Sequence, residues 1–279
     1  MRNLEAYLDN SFEFYEDVVG TKRNTKRDSK YLERVSLLNK QISVLFKGYD
    51  TQFTSNNLVS ITPYGYENQE KKDLLALYSY RNRILQSLVA KVSRITAERI
   101  LKTCQSCTIN EANTLDHILP KDYYAEFSVH PKNLIPSCSK CNGHKGTNWK
   151  SGNTNLFLNL YLDQLPSVDY LFVTTTIESN TVKAEFRVEN INGIQSNLFE
   201  LIRSHYTRLK LIERFSSNID SVVEPLKNEL EVFKGKIPIS EFQNIVIERN
   251  RKNRTSFGQN YWKSVLEDEL IMNDDFINL

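Results

Sequence analysis

All four cysteines of the 279-residue chain fall in one stretch, as two Cys-x-x-Cys pairs, Cys104/Cys107 and Cys138/Cys141. Nothing else in the chain restricts its folding as much. Each such turn can offer two thiolates, and two turns close a tetrahedral structural zinc site. Two disulfides or four buried thiols would use the same residues. Disulfides need an oxidising compartment, and no secretory leader is visible. Unbound thiols have little reason to cluster in matched pairs. The spacing therefore predicts structural Zn²⁺ on all four cysteines and a cytoplasmic protein.

Between the pairs stands chemistry that a structural zinc site does not need. Asp116-His117 follows Leu115 and precedes Ile118, Leu119 and Pro120, the pattern of a strand ending in a turn. Further on come Asn133-Leu134-Ile135-Pro136, then Asn142 directly after the last cysteine, then Lys145. In this order the residues resemble the HNH, or ββα-metal, nucleases, and the likeness covers this segment alone. The resemblance implies that His117 is a general base and that Asp116 and Asn142 hold one divalent cation. It implies too that Asn133 braces the loop between two strands and that Lys145 acts near the scissile phosphate. The family usually has histidine where Asn142 stands, so this is an HNN variant, and His144 is a second candidate ligand. An amide oxygen suits Mg²⁺ or Mn²⁺ better than softer metals.

Elementary chemistry agrees with that assignment. Phosphodiester hydrolysis needs an activated water on one side of phosphorus and a stabilised leaving oxygen on the other. An imidazole can take the water's proton near neutral pH. A hard cation on a carboxylate and an amide oxygen can neutralise the departing 3′ oxygen. Neighbouring residues of an extended segment point to opposite faces, so Asp116 and His117 can serve opposite sides.

The rest of the chain reads as mainly helical, an α+β protein with the zinc-stabilised ββα core inserted between N-terminal and C-terminal helical regions. The expected division is 1–103, 104–152 and 153–279. Nine glycines and seven prolines favour long helices over many tight turns. Apolar spacing predicts helices over 1–20, 30–46 and 70–103, the last one unbroken up to Cys104. The stretch 47–68 reads as a loop with a short strand at 58–61. Stretches 169–176 and 182–191, rich in Val, Thr, Phe and Tyr, predict a hairpin turning at Ser179-Asn180. Helical spacing returns over 196–234, where Pro225 should kink or divide the run, and again over 240–249 and 259–272. His130, in a turn before Pro131, and His205, among helical residues, are not expected to be catalytic.

Composition limits the partners. Net charge is only +2, with 40% hydrophobic and 25% charged residues, so contact with nucleic acid must come from local basic groups. Lys150 beside the motif, and Arg251, Lys252 and Arg254 in the densest basic run, are the candidates. No apolar stretch reaches the ~18 residues of a membrane span. Three function classes are open: a metal-dependent DNA endonuclease, a zinc-stabilised nucleic-acid-binding module without catalysis, and a subunit whose nuclease acts only in a complex. The resemblance points to the first, and to a part in bacterial defence against phage, a restriction system or a mobile element, with a separate ATPase or sensor subunit. No P-loop lies in the chain itself.

Overall fold

The computed structural model describes all 279 residues, which divide into two compact units. One comprises residues 4–104 and 110–163; the other comprises 1–3, 105–109 and 164–279.

The first unit opens with α1 (Ser11–Gly20), where the Asn10 side chain caps the amides of Phe12 and Glu13. Helix α2 (Tyr31–Thr54) buries Val35, Leu38, Ile42, Phe46, Tyr49 and Phe53 at three- and four-residue spacing. It outruns the expected end at residue 46 because Tyr49 and Phe53 continue the stripe past Gly48. The expected strand at 58–61 is instead a 3-10 turn, Leu58–Ser60.

The single helix expected over 70–103 is three elements. Helix α3 (Asn68–Leu75) stops, and α4 (Arg83–Val92) starts afresh where the Asn82 side chain accepts the Ile84 amide. An antiparallel hairpin of β1 (Arg94–Thr96) and β2 (Arg99–Ile100) follows. Asn82 is the signal that the apolar periodicity overrode: asparagine prefers the cap of a new helix to the interior of an old one.

Next come β3 (Thr114–His117), β4 (Leu134–Ser137) and α5 (Ser139–Lys145), then a short pair, β5 (Lys150–Ser151) with β6 (Thr154–Asn155). Strands β3 and β4 pair antiparallel, with Asp116 opposite Ile135 and His117 opposite Leu134. This ββα unit sits mid-chain with helical regions before and after it.

The second unit is built on the hairpin β7 (Leu171–Glu178) and β8 (Thr181–Val188). Ser179 and Asn180 both take positive φ, as a two-residue hairpin turn requires. Six helices follow: α6 (Ser196–Arg208), α7 (Leu211–Ser216), α8 (Asp220–Phe233), α9 (Ile239–Phe257), α10 (Trp262–Leu270) and α11 (Asp274–Ile277). The run 196–234 breaks at left-handed Lys210 and again before Asp220, while α8 continues through Pro225. Trp262, stacked on Phe215 at 5.3 Å, centres the core of this unit. No helix is long and apolar enough to cross a membrane.

Candidate active site

The four cysteine sulfurs lie within 4.8 Å of one another and all four residues are buried. A tetrahedron of thiolates about 2.3 Å from one ion has edges of about 3.8 Å, so the donor set fits a single Zn²⁺. Local hydrogen bonds shape the turns. Cys138 caps α5, its sulfur accepting the Cys141 amide at 3.4 Å, and Cys107 Sγ accepts the Ile109 amide at 3.4 Å.

Asp116 and His117 end β3, alternate in burial along it, and line a cleft of about 120 Å³ with Tyr78, Thr114, Lys121 and Asn142. His117 Nε2 is 2.9 Å from the Ser128 carbonyl oxygen. A carbonyl can only accept, so Nε2 carries the proton and the neutral ring keeps its lone pair on Nδ1. Burial drives the imidazole down to about 3, a shift that the Ser128 bond opposes and the Lys145 charge assists. Burial pushes the Asp116 carboxyl up, and Lys145 pulls it back down.

Lys145 is nearly buried. Its Nζ donates to Asp116 Oδ1 at 3.0 Å and to the His117 carbonyl, which ties the last turn of α5 to the end of β3. Asn142, one turn earlier on α5, is half-buried in the wall of the cleft. One carboxylate and one amide oxygen facing a common space are hard donors, which fit Mg²⁺ or Mn²⁺. His144 lies on an exposed part of the same helix.

Asn133 is wholly buried under the loop 118–133. Its Oδ1 accepts the Leu119 amide at 2.8 Å and the Tyr49 hydroxyl at 3.2 Å. Its Nδ2 donates to the carbonyls of Leu119 and Phe127 at 3.1 and 3.0 Å. The two ends of the loop are thereby joined through one side chain.

The basic candidates have other engagements. Lys150 Nζ donates to the Val59 carbonyl at 2.7 Å and lies over the Trp149 ring. Arg251, Lys252 and Arg254 sit on α9, which runs on through the basic cluster where a helix end was expected. Arg251 pairs with Glu248, and Arg254 pairs with Asp268 at 2.7 Å. His130 and His205 are buried, and His205 Nε2 donates to the Ser106 carbonyl at 3.0 Å. Three residues that sequence reasoning passed over also belong to the site's surroundings: Tyr49, Tyr78 and Ser128. Each reads in the sequence as an ordinary core or loop residue, and no local signal marks it.

A ββα unit with two Cys-x-x-Cys turns, and Asp, His and Asn around one cleft, defines a class. Residues 104–148 match the family model described as HNH endonuclease, and this segment is an HNH endonuclease domain. Among individual proteins, the chain is 28% identical over 190 residues to protein ea31 of Escherichia phage lambda, covering 62% of this chain and 62% of that one. It is 26% identical over 125 residues to Septu protein PtuB of Bacillus thuringiensis, covering 44% of this chain and 46% of the relative. The chain thus spans less than two thirds of the length of either relative. No solved structure matches it.

Proposed function

We propose that this protein is a metal-dependent endonuclease that hydrolyses DNA phosphodiester bonds, with His117 as general base and with Asp116 and Asn142 holding one Mg²⁺ or Mn²⁺. The observation that carries the reading is the His117 ring, whose Nε2–H is committed to the Ser128 carbonyl beside a carboxylate and an amide in one cleft. That bond leaves Nδ1 as the basic atom, and burial keeps the ring unprotonated. A phosphate entering the cleft adds negative charge within a few ångströms, which raises the imidazole's affinity for the water's proton. The bound cation would supply positive charge for the leaving 3′ oxygen. Lys145 keeps Asp116 oriented and offsets the cost of its burial. Asn133 holds the loop that carries Ser128.

Structural Zn²⁺ on the four cysteines belongs to the same proposal, supported by their clustering. So does a role in bacterial defence against phage with a separate ATPase or sensor subunit, supported by the family resemblance and by relatives from a phage and a bacterium.

The test is incubation of purified protein with plasmid DNA and Mg²⁺ or Mn²⁺, with and without EDTA, beside His117→Ala. We expect EDTA-sensitive cleavage, reduced by roughly two to four orders of magnitude in the variant, the scale of a positioned general base. His117→Ala should retain its zinc. Cleavage unchanged in the variant would refute the role of His117, and a wild type that cleaves nothing would leave a zinc-stabilised binding module as the better reading.

A further inference from the structure

Two contacts hold the His117 ring, and both lead outside residues 104–148 to one short stretch, the end of α3 and the turn after it. The Tyr78 ring packs edge-on against the imidazole, with centroids 4.8 Å apart and 63° between the planes. Its hydroxyl donates to the Leu115 carbonyl at 3.2 Å and lies 3.4 Å from the Leu115 amide, one residue before Asp116. On the other side, the Ser128 carbonyl takes the Nε2 proton, and Ser128 Oγ donates to the Leu74 carbonyl at 2.8 Å. Residues 74–78 therefore secure both the ring itself and the acceptor that sets its tautomer. Tyr78 also lines the cleft with Asp116, His117 and Asn142.

The torsion that turns an imidazole about its bond to Cβ is broad, with two shallow wells rather than three sharp ones. One hydrogen bond at Nε2 anchors a single atom and leaves the ring free to rock about it. A second ring packed edge-on against it removes that freedom. We propose that Tyr78 is a positioning residue of the active centre, its ring holding the His117 imidazole in the plane that presents Nδ1 to the attacking water. This rests on the reading of His117 as general base. The division of labour is specific: the ring sets the imidazole, and the hydroxyl anchors β3.

Tyr78→Phe and Tyr78→Leu separate these parts, measured with Mn²⁺ and a DNA duplex in the full-length protein. Tyr78→Phe should keep kcat within about threefold. Tyr78→Leu should lose about 10- to 100-fold in kcat, the cost of misplacing a catalytic group by about 1 Å, with KM and the Mn²⁺ requirement nearly unchanged. A readout independent of cleavage is the nitrogen spectrum of histidine-labelled protein. Wild type and Tyr78→Phe should show His117 as one tautomer protonated at Nε2. Tyr78→Leu should show averaged or multiple His117 signals, with those of His130 and His205 in place. Unchanged His117 signals and kcat in Tyr78→Leu would overturn the proposal, and so would equal losses in the Phe and Leu variants. A wild-type protein that cleaves nothing would sink the nuclease reading instead, and the spectra would still decide whether Tyr78 sets the ring.

Discussion

Asn133 and Asn142 carry the same side chain, and burial sets them different tasks. Asn133 has four hydrogen bonds to protein groups and no exposed surface, so it has nothing to offer a cation. Asn142 stands in the cleft wall, with room for a ligand. Removing the Asn133 amide strands the Leu119 amide and the Leu119 carbonyl, and each buried orphan costs about 1–3 kcal/mol. Asn133→Ala should therefore lower the melting temperature and lose cleavage at every metal concentration. Asn142→Ala should melt like wild type, need more Mg²⁺, and recover part of its activity in Mn²⁺. Metal titrations of cleavage, run beside thermal melts, check both; identical titration curves for the two variants would refute the division of roles.

At the scale of elements, what the sequence made legible was local. Asp116, His117 and Asn142 could be chosen together because they fall in the order of the HNH motif, to which the segment between the cysteine turns is similar. The β7–β8 hairpin announced itself through β-branched runs flanking Ser179-Asn180. The long helix over 70–103 failed as a reading because Leu74, Leu77, Leu85, Leu88 and Val92 keep helical spacing across a break, so periodicity alone cannot detect the new cap at Asn82. Tyr78 sits in that break, which is why its part in the site was illegible. Tyr49 reaches Asn133 across 84 residues of chain, and no local pattern predicts such a bond. The ββα elements are short: two four-residue strands and a seven-residue helix. Elements of that length are not stable in isolation, so an ion on the four sulfurs would contribute much of their folding energy. Cys138→Ser tests this cleanly, because serine is itself a good helix cap and the substitution removes little besides a metal ligand. One zinc per chain should survive dialysis of the wild type. The variant should lose it, together with the protease resistance of residues 104–148, whereas a zinc-free wild type with an unchanged melt would rule the site out.

Over the whole molecule, two charge balances make predictions, one of stability and one of binding. His117, His130 and His205 are all buried and held neutral, His205 driven down to about 4 by desolvation and His130 well below its ordinary value. Unfolding restores each to about 6.5, so below that pH the unfolded chain binds more protons, and stability falls as pH drops from about 6.5 toward 4. Asp116, Glu126, Asp163 and Glu267 oppose this, since burial raises their carboxyls. Each histidine contributes about 1.4 kcal/mol per pH unit in that window. The melting temperature should be flat above pH 7 and fall below pH 6, with a shallower fall in His205→Gln; identical slopes would remove His205 from the account. The binding prediction concerns the basic run on α9. Arg254 is tied twice, to Asp268 at 2.7 Å and to the Gln259 carbonyl at 3.1 Å, and is largely covered. Arg251 pairs with Glu248 in the open, and an exposed pair of that kind is worth about 0–1 kcal/mol and yields readily to a phosphate. Lys252 is exposed. If this face meets DNA, each phosphate left without its cation should flatten the log–log salt slope by about 0.9. Neutralising Arg251 and Lys252 together should then change the slope by about 1.8, while Arg254→Gln leaves it alone and lowers the melting temperature. Binding measured between about 50 and 200 mM salt on unrelated duplexes should show the same change for every sequence, because protein–phosphate bonds carry no base information. A slope that stays at the wild-type value in the double variant would show that α9 is a solvated face and that the backbone of the duplex is held elsewhere.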